Sequence, residues 1–149
     1  MSAQHKPDIA FREMQRDELV LVETIHASAF ESRTEARLPG EFIAEGRCAL
    51  SVVAADSDYL LGHAIFSELA GADRALALGP VAIVPDRQGE GIGSRLIRYG
   101  LDLARERGWR SVFVLGDPDF YGRLGFEGRL AAKARVPWSG PNFQALELV

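Results

Sequence analysis

LGPVAIVPDRQGEGIGSR, running from Leu78 to Arg95, decides the fold of this chain. An apolar strand reaches Pro85, passes a basic and an amide side chain at Arg87 and Gln88, meets Gly89, Gly91 and Gly93 at alternate positions, and opens an amphipathic helix. Glycines in this pattern let the chain turn tightly and bring backbone N–H groups close to an anion, because no Cβ intervenes. The helix start that follows adds unpaired donors and the positive end of the helix dipole. The junction is suited to holding phosphate.

Downstream, Ile92, Leu96, Ile97, Gly100, Leu101, Leu103 and Ala104 form the apolar stripe of that helix, and Gly108 after Arg105-Glu106-Arg107 is a stop signal. Ser111 to Leu115 reads as a buried strand, so strand, helix and strand in succession predict a parallel crossover. Asp117 and Pro118 read as N-cap and first residue of a short helix that Gly125 ends. Asp117 and Asp119 are both favoured at a helix start by capping or by the dipole. A strand near Phe126 to Ala131, a loop rich in Pro and Gly, and a last strand at Phe143 to Val149 complete this half.

Upstream, a short strand is expected at Ile9 to Arg12 and a helix from about Asp17, its N-cap, to Phe30, with Leu19, Val22, Ile25 and Ala29 on one face and Leu21 and His26 flanking it. A second helical stretch is expected around Glu35 to Glu45. Cys48 to Ala54 and Leu60 to Ser67 are strand-like runs separated by Asp56-Ser57-Asp58, whose turn chemistry predicts an antiparallel hairpin. Ala75 to Val84 extends it into a meander. The fold class is α+β, with a mixed, largely antiparallel sheet flanked by helices.

Composition narrows the function. The 149 residues predict a single domain, 1–149, able to bury about 70% of its unfolded surface without metal or disulfide. With 47% hydrophobic and 26% charged residues and no apolar run of about 20, no membrane partner is expected. A net charge of −4 argues against a nucleic-acid partner, which requires a basic face. The polar N-terminus and the single cysteine point to the cytoplasm. Cys48, in an apolar stretch, reads as a small core residue. The three histidines, His5, His26 and His63, follow no ligand spacing, and no metal is expected.

Three phosphate ligands compete for the loop. A dinucleotide fingerprint fails because Ser94 stands where its last glycine belongs, almost 90 residues precede the loop, and Trp109 sits near the place of the acid expected about 20 residues on. A P-loop fails because Gly93-Ser94-Arg95 replaces Gly-Lys-Ser/Thr. The remaining pattern, R/Q-x-x-G-x-G/A, is a pyrophosphate loop of acyl-CoA binders, and Gln88-Gly89-Glu90-Gly91-Ile92-Gly93 fills it. Together with GDPDFYGRLGF and the closing FQALEL, this segment resembles the GNAT superfamily of N-acetyltransferases, in a bacterial branch of general, predicted N-acetyltransferases. The resemblance spans Ile9 to Leu148 and is most specific between Leu78 and Phe126.

The resemblance implies a GNAT fold in which neighbouring parallel strands splay to form an acyl-CoA cleft. It also implies acetyl-CoA as co-substrate, held at its pyrophosphate by backbone amides of Gln88, Gly89, Glu90, Gly91, Ile92, Gly93 and Ser94. Val81, Ala82 and Ile83 form the strand segment beside the pantetheine arm. Backbone groups of Val81 and Ile83 would pair with it, and the Val81 N–H would meet the acetyl oxygen. Val81 and Ile83 are equally readable as core residues, and the two roles are compatible because one uses backbone and the other side chains. Pro80 marks a strand irregularity, since it cannot donate in a ladder. Arg87, Arg95 and Arg98 stand within reach of the phosphates or form a solvated helix face.

Amine acetylation needs a neutral nucleophile, and an alkyl ammonium of pKa about 10.4 is neutral in only about one molecule in 2,500 at pH 7. The departing thiolate benefits from an acid. Tyr121, in the family-type motif Tyr121-Gly122-Arg123-Leu124-Gly125-Phe126, is the candidate acid, with an amphipathic core tyrosine as the alternative; Phe120 and Phe126 read as core. No general base is evident. His63 and Glu68 are candidates by position, although a histidine in an apolar strand is more often structural. The amine acceptor would lie between the first two helices and the loop from Val136 to Asn142, with Trp138 and Phe143 beside it and Glu31, Glu35 and Glu41 near it. The expected reaction is direct attack by a primary amine without a covalent enzyme intermediate. The alternatives are a non-catalytic acyl-CoA-binding sensor and a partner-binding module of the same fold. The edge of the final strand makes a homodimer reasonable.

Overall fold

A computed structural model describes residues 9–29, 48–57, 59–70, 72–133, 140 and 142–148. Six strands, β1 (Ile9–Glu13), β2 (Cys48–Asp56), β3 (Tyr59–Glu68), β4 (Ala75–Ile83), β5 (Ser111–Leu115) and β6 (Phe143–Glu147), form one sheet in sequence order. β1 to β4 are an antiparallel meander, β4 and β5 pair in parallel, and β5 and β6 are antiparallel. The helices described are α1 (Leu19–Ala29), α2 (Ile92–Glu106), α3 (Pro118–Gly122) and α4 (Gly128–Ala132).

β3 is buried from Leu61 to Ser67 without alternation, the signature of a strand covered on both faces. α2 covers one face: its Ile92, Leu96, Ile97, Leu101 and Ala104 pack on Leu50, Val52, Ala54, Ala64, Phe66, Leu76 and Leu78. Gly100 allows this close approach, because a Cβ there would stand 2.7 Å from Cζ of the buried Phe66. α1 covers the other face. Gly62 looks toward Leu96 while its neighbour His63 bonds to His26 of α1, and successive strand residues point to opposite sides. Farther along the sheet, Leu69, Ala75, Phe113, Ala131, Phe143 and Ala145 form a second cluster, with the Phe113 and Phe143 rings stacked at 5.5 Å.

β4 and β5 pair only from Ala75↔Ser111 to Leu78↔Val114. β4 continues to Ile83 with no partner on its β5 side among the described residues, so the two parallel strands part there. On the other side of β4 the register with β3 shifts between Ala64↔Val81 and Phe66↔Leu78, at Gly79 and Pro80, which are joined by a cis peptide bond. The irregularity expected at Pro80 is present.

Two expectations need correction. The segment from Phe126 to Ala131 is not a strand. It makes a single bridge, Glu127↔Ala145, and then turns into α4, whose Arg129, Leu130, Ala131 and Ala132 are good helix formers. Asp17 is not the N-cap of α1: the chain enters through a 3-10 turn at Arg16–Glu18, and Gln15 N–H donates to Glu18 Oε1 at 2.8 Å. Arg12 fixes that carboxylate with two bonds of 2.8 and 2.7 Å, which places the helix entry ahead of Asp17. Within α1, Leu21 is 53% exposed, whereas Val22, Ile25 and His26 are buried. Phe30, the expected helix at Glu35 to Glu45, Glu31, Trp138, His5 and Val149 lie outside the described residues.

Candidate functional site

The loop between β4 and α2 is built by three local devices. A 3-10 turn at Pro85–Arg87 ends the strand, and Gln88 Nε2 donates back to the Ile83 carbonyl at 3.1 Å, tying the loop to the strand end. Gly89 and Gly91 both take φ of +81°, a conformation that side chains rarely adopt. Open space surrounds the position of a Cβ at each, so these glycines are required by backbone geometry rather than by packing. Gly91 is the N-cap of α2, and the first helical bond runs from Arg95 N–H to the Gly91 carbonyl at 3.2 Å. The N–H groups of Ile92, Gly93 and Ser94 lie ahead of that bond, at the positive end of a 15-residue helix.

The cleft edge of β4 carries Val81, Ala82 and Ile83. Their register on β3 is Ala64, His63 and Gly62, so their other backbone edge faces the gap left by β5. Val81 and Ile83 pack their side chains against the α2 core while that edge stays open. Packing of these side chains in the core therefore leaves that backbone edge available.

Tyr121 reaches the same end of the sheet from β5. Asp117 accepts a bond from Asp119 N–H at 3.0 Å and Pro118 opens α3, as their residue types predict. The half-buried Tyr121 ring meets Phe120 and Phe126 edge to face, at 4.9 and 5.6 Å. It also lies over Gly116, where a Cβ would fall 2.5 Å from Tyr121 Cε2. Phe120 Cζ stands 3.9 Å from the Cβ position of Gly93, so α3 abuts the start of α2. Two motifs separated in sequence thus meet at the cleft. Burial raises the Tyr121 pKa, which keeps the phenol protonated and able to donate.

Arg95 lies over the Phe11 ring at 4.9 Å, and Arg98 is exposed. The Arg87 guanidinium bonds to Glu90 at 3.0 Å. Glu68 pairs with Leu76, beyond the β4 irregularity from Val81. Cys48, at the start of β2, has its thiol pushed up to about 11 by burial and so holds its proton, which removes it as a nucleophile.

His63 is fully buried and both its ring nitrogens are engaged: Nδ1 lies 2.9 Å from His26 Nε2, and Nε2 lies 2.6 Å from Ser51 Oγ. Burial lowers the His26 pKa to about 4; burial and the neighbouring His26 lower that of His63 to about 3, so both are neutral. A ring bonded at both nitrogens is a structural group tying α1 to β3 and β2. The sequence could not reveal this pairing, because the histidines are 37 residues apart and share no motif. The ring seat provided by Gly116 was also hidden, since a single glycine after a strand carries no signal of the side chain above it.

This geometry matches known proteins. The family model described as "Acetyltransferase (GNAT) family" matches residues 11–126. The uncharacterized N-acetyltransferase YhbS of Escherichia coli K12 is 32% identical over 123 residues, covering 80% of this chain and 74% of the relative. The crystal structure of Escherichia coli YhbS in complex with CoA superposes with a TM-score of 0.88 at 28% identity, covering 98% of this chain and 84% of that one. A GNAT family acetyltransferase from Brucella melitensis, solved in complex with acetyl-CoA, gives a TM-score of 0.81 at 31% identity over 95% of this chain and 89% of its own. With a family model that matches most of its length and a relative 32% identical over 80% of it, the chain belongs to the GNAT family of acetyltransferases.

Proposed function

We propose that this protein is an acetyl-CoA-dependent N-acetyltransferase in which a primary amine attacks the acetyl carbonyl directly. One observation carries the reading: among the described residues β4 keeps a free backbone edge beyond Leu78, the left-handed glycine loop follows it, and α3, which bears Tyr121, abuts the start of α2 through Phe120 and Gly93. The relatives solved with CoA and acetyl-CoA support the choice of co-substrate. Backbone N–H groups from Gln88 to Ser94, including those of Gly89, Glu90, Gly91, Ile92 and Gly93, hold the pyrophosphate, with Arg87 serving the same loop. Val81, Ala82 and Ile83 offer the strand edge to the pantetheine arm. The Val81 N–H stabilises negative charge as it develops on the acetyl oxygen.

Tyr121 gives a proton to the departing thiolate, a role that its burial favours by holding the phenol neutral. His63 is no candidate for the base, since neither ring nitrogen is open to an amine. Cys48 is no candidate for a covalent carrier. The acceptor is a small-molecule or peptide amine, taken up opposite the co-substrate.

The test is calorimetric titration of acetyl-CoA and of CoA into the protein, then a screen of amines for thiol release. Acetyl-CoA should bind, and Gly91→Trp should abolish binding, because its side chain is incompatible with φ +81° and projects into the space an anion would use. Failure of the native protein to bind acetyl-CoA would refute the proposal.

A further inference from the structure

The guanidinium of Arg87 is engaged by two acids. Its Nε stands 3.0 and 3.1 Å from the carboxylate oxygens of Glu90, and its Nη1 lies 3.8 Å from Asp56 Oδ2. Glu90 sits between Gly89 and Gly91, inside the stretch whose N–H groups gather for an anion. Asp56 ends β2, at the turn into β3. A loop suited to a phosphate therefore carries one carboxylate at its centre and a second beside it. Arg87 lies between them.

We propose that Arg87 is a positioning residue, which serves the co-substrate by tethering and neutralising Glu90 and Asp56 and not by contacting phosphate. The inference rests on the acyl-CoA reading of the loop. Without Arg87, the Glu90 carboxylate is free to swing toward a pyrophosphate held by its neighbours. Two like-charge pairs at about 6 Å in water-like surroundings weaken binding on the order of tenfold. An exposed ion pair of this kind contributes little to stability, so its loss falls on the ligand rather than on the fold.

The experiment is a double-mutant cycle read by calorimetric titration of acetyl-CoA, with a thermal melt of each variant. Arg87→Ala should weaken binding about tenfold in the native background but less than about threefold in the Glu90→Gln background, the remainder reflecting Asp56. Arg87→Lys, which keeps the charge, should recover most of the loss. If Arg87→Ala costs as much with Glu90→Gln as without it, Arg87 contacts the phosphates itself and the inference is overturned. It is equally overturned if Arg87→Ala binds as tightly as the native protein. Absence of binding in the native protein would instead overturn the co-substrate reading, and this inference with it.

Discussion

Acid should destabilise this protein through two buried histidines. His26 and His63 are both 0% exposed and bonded to each other, with pKa values lowered to about 4 and about 3. In the unfolded chain each returns to about 6.5. The unfolded state therefore binds more protons than the folded state between these limits, and stability rises with pH across that window. The full contribution is present above about pH 7 and is lost as pH falls toward 4. At pH 5 each unfolded histidine gains about 2 kcal/mol from protonation while the folded pair gains almost nothing, a loss of about 4 kcal/mol relative to pH 8. Glu13 and Glu18 do not blur this range. Hydrogen bonds from Arg107 and Arg12 hold their carboxyls below the usual values. Urea unfolding at pH 8, 6.5 and 5 should show the loss, and the double variant His26→Leu/His63→Leu should flatten it by about 4 kcal/mol. If the double variant loses as much stability on acidification as the native protein, the pair is not buried and neutral, and the reasoning fails.

The remaining predictions concern the cleft and the core. Tyr121→Phe should lower kcat by on the order of 100-fold while leaving acetyl-CoA affinity within about twofold, measured by thiol release and by calorimetry. Gly116→Ala should act similarly without touching the hydroxyl. Its Cβ would meet the Tyr121 ring at 2.5 Å, and a displacement of about 1 Å can cost on the order of 100-fold in turnover. An unchanged kcat would show that the ring position does not matter. Gly100→Ala gains about 1 kcal/mol in helix propensity but drives a methyl into the fully buried Phe66. Overpacking of about 1–3 kcal/mol should prevail, and the melting temperature should fall by a few degrees; a rise would refute the tight α2–β3 contact.

The segment from Leu78 to Arg95 was legible because its chemistry is local. Three alternate glycines, a strand before them and an apolar stripe after them specify strand, left-handed loop and helix with little help from the rest of the chain. Asp117-Pro118 was legible for the same reason, since the N-cap bond to Asp119 spans two residues. The segment Phe126 to Ala131 misled because its few apolar residues fit either period, and its strand-like pairing stops after Glu127. The entry to α1 was displaced by Arg12, a residue of the preceding strand that captures Glu18.

By itself, then, the sequence determined the α+β class, the glycine loop between strand and helix, and the tyrosine-bearing short helix, the last two written in contacts a few residues long. The family resemblance implied that parallel strands splay, but only the tertiary structure fixed the last pair before they part at Leu78 and Val114. The same packing set Tyr121 over Gly116 and Phe120 beside the start of α2, joined His26, His63 and Ser51 in one hydrogen-bonded chain, and placed Asp56 against Arg87. Those contacts join positions far apart along the chain, and no periodicity or spacing records which distant side chains a sheet and its helices will bring within hydrogen-bonding distance.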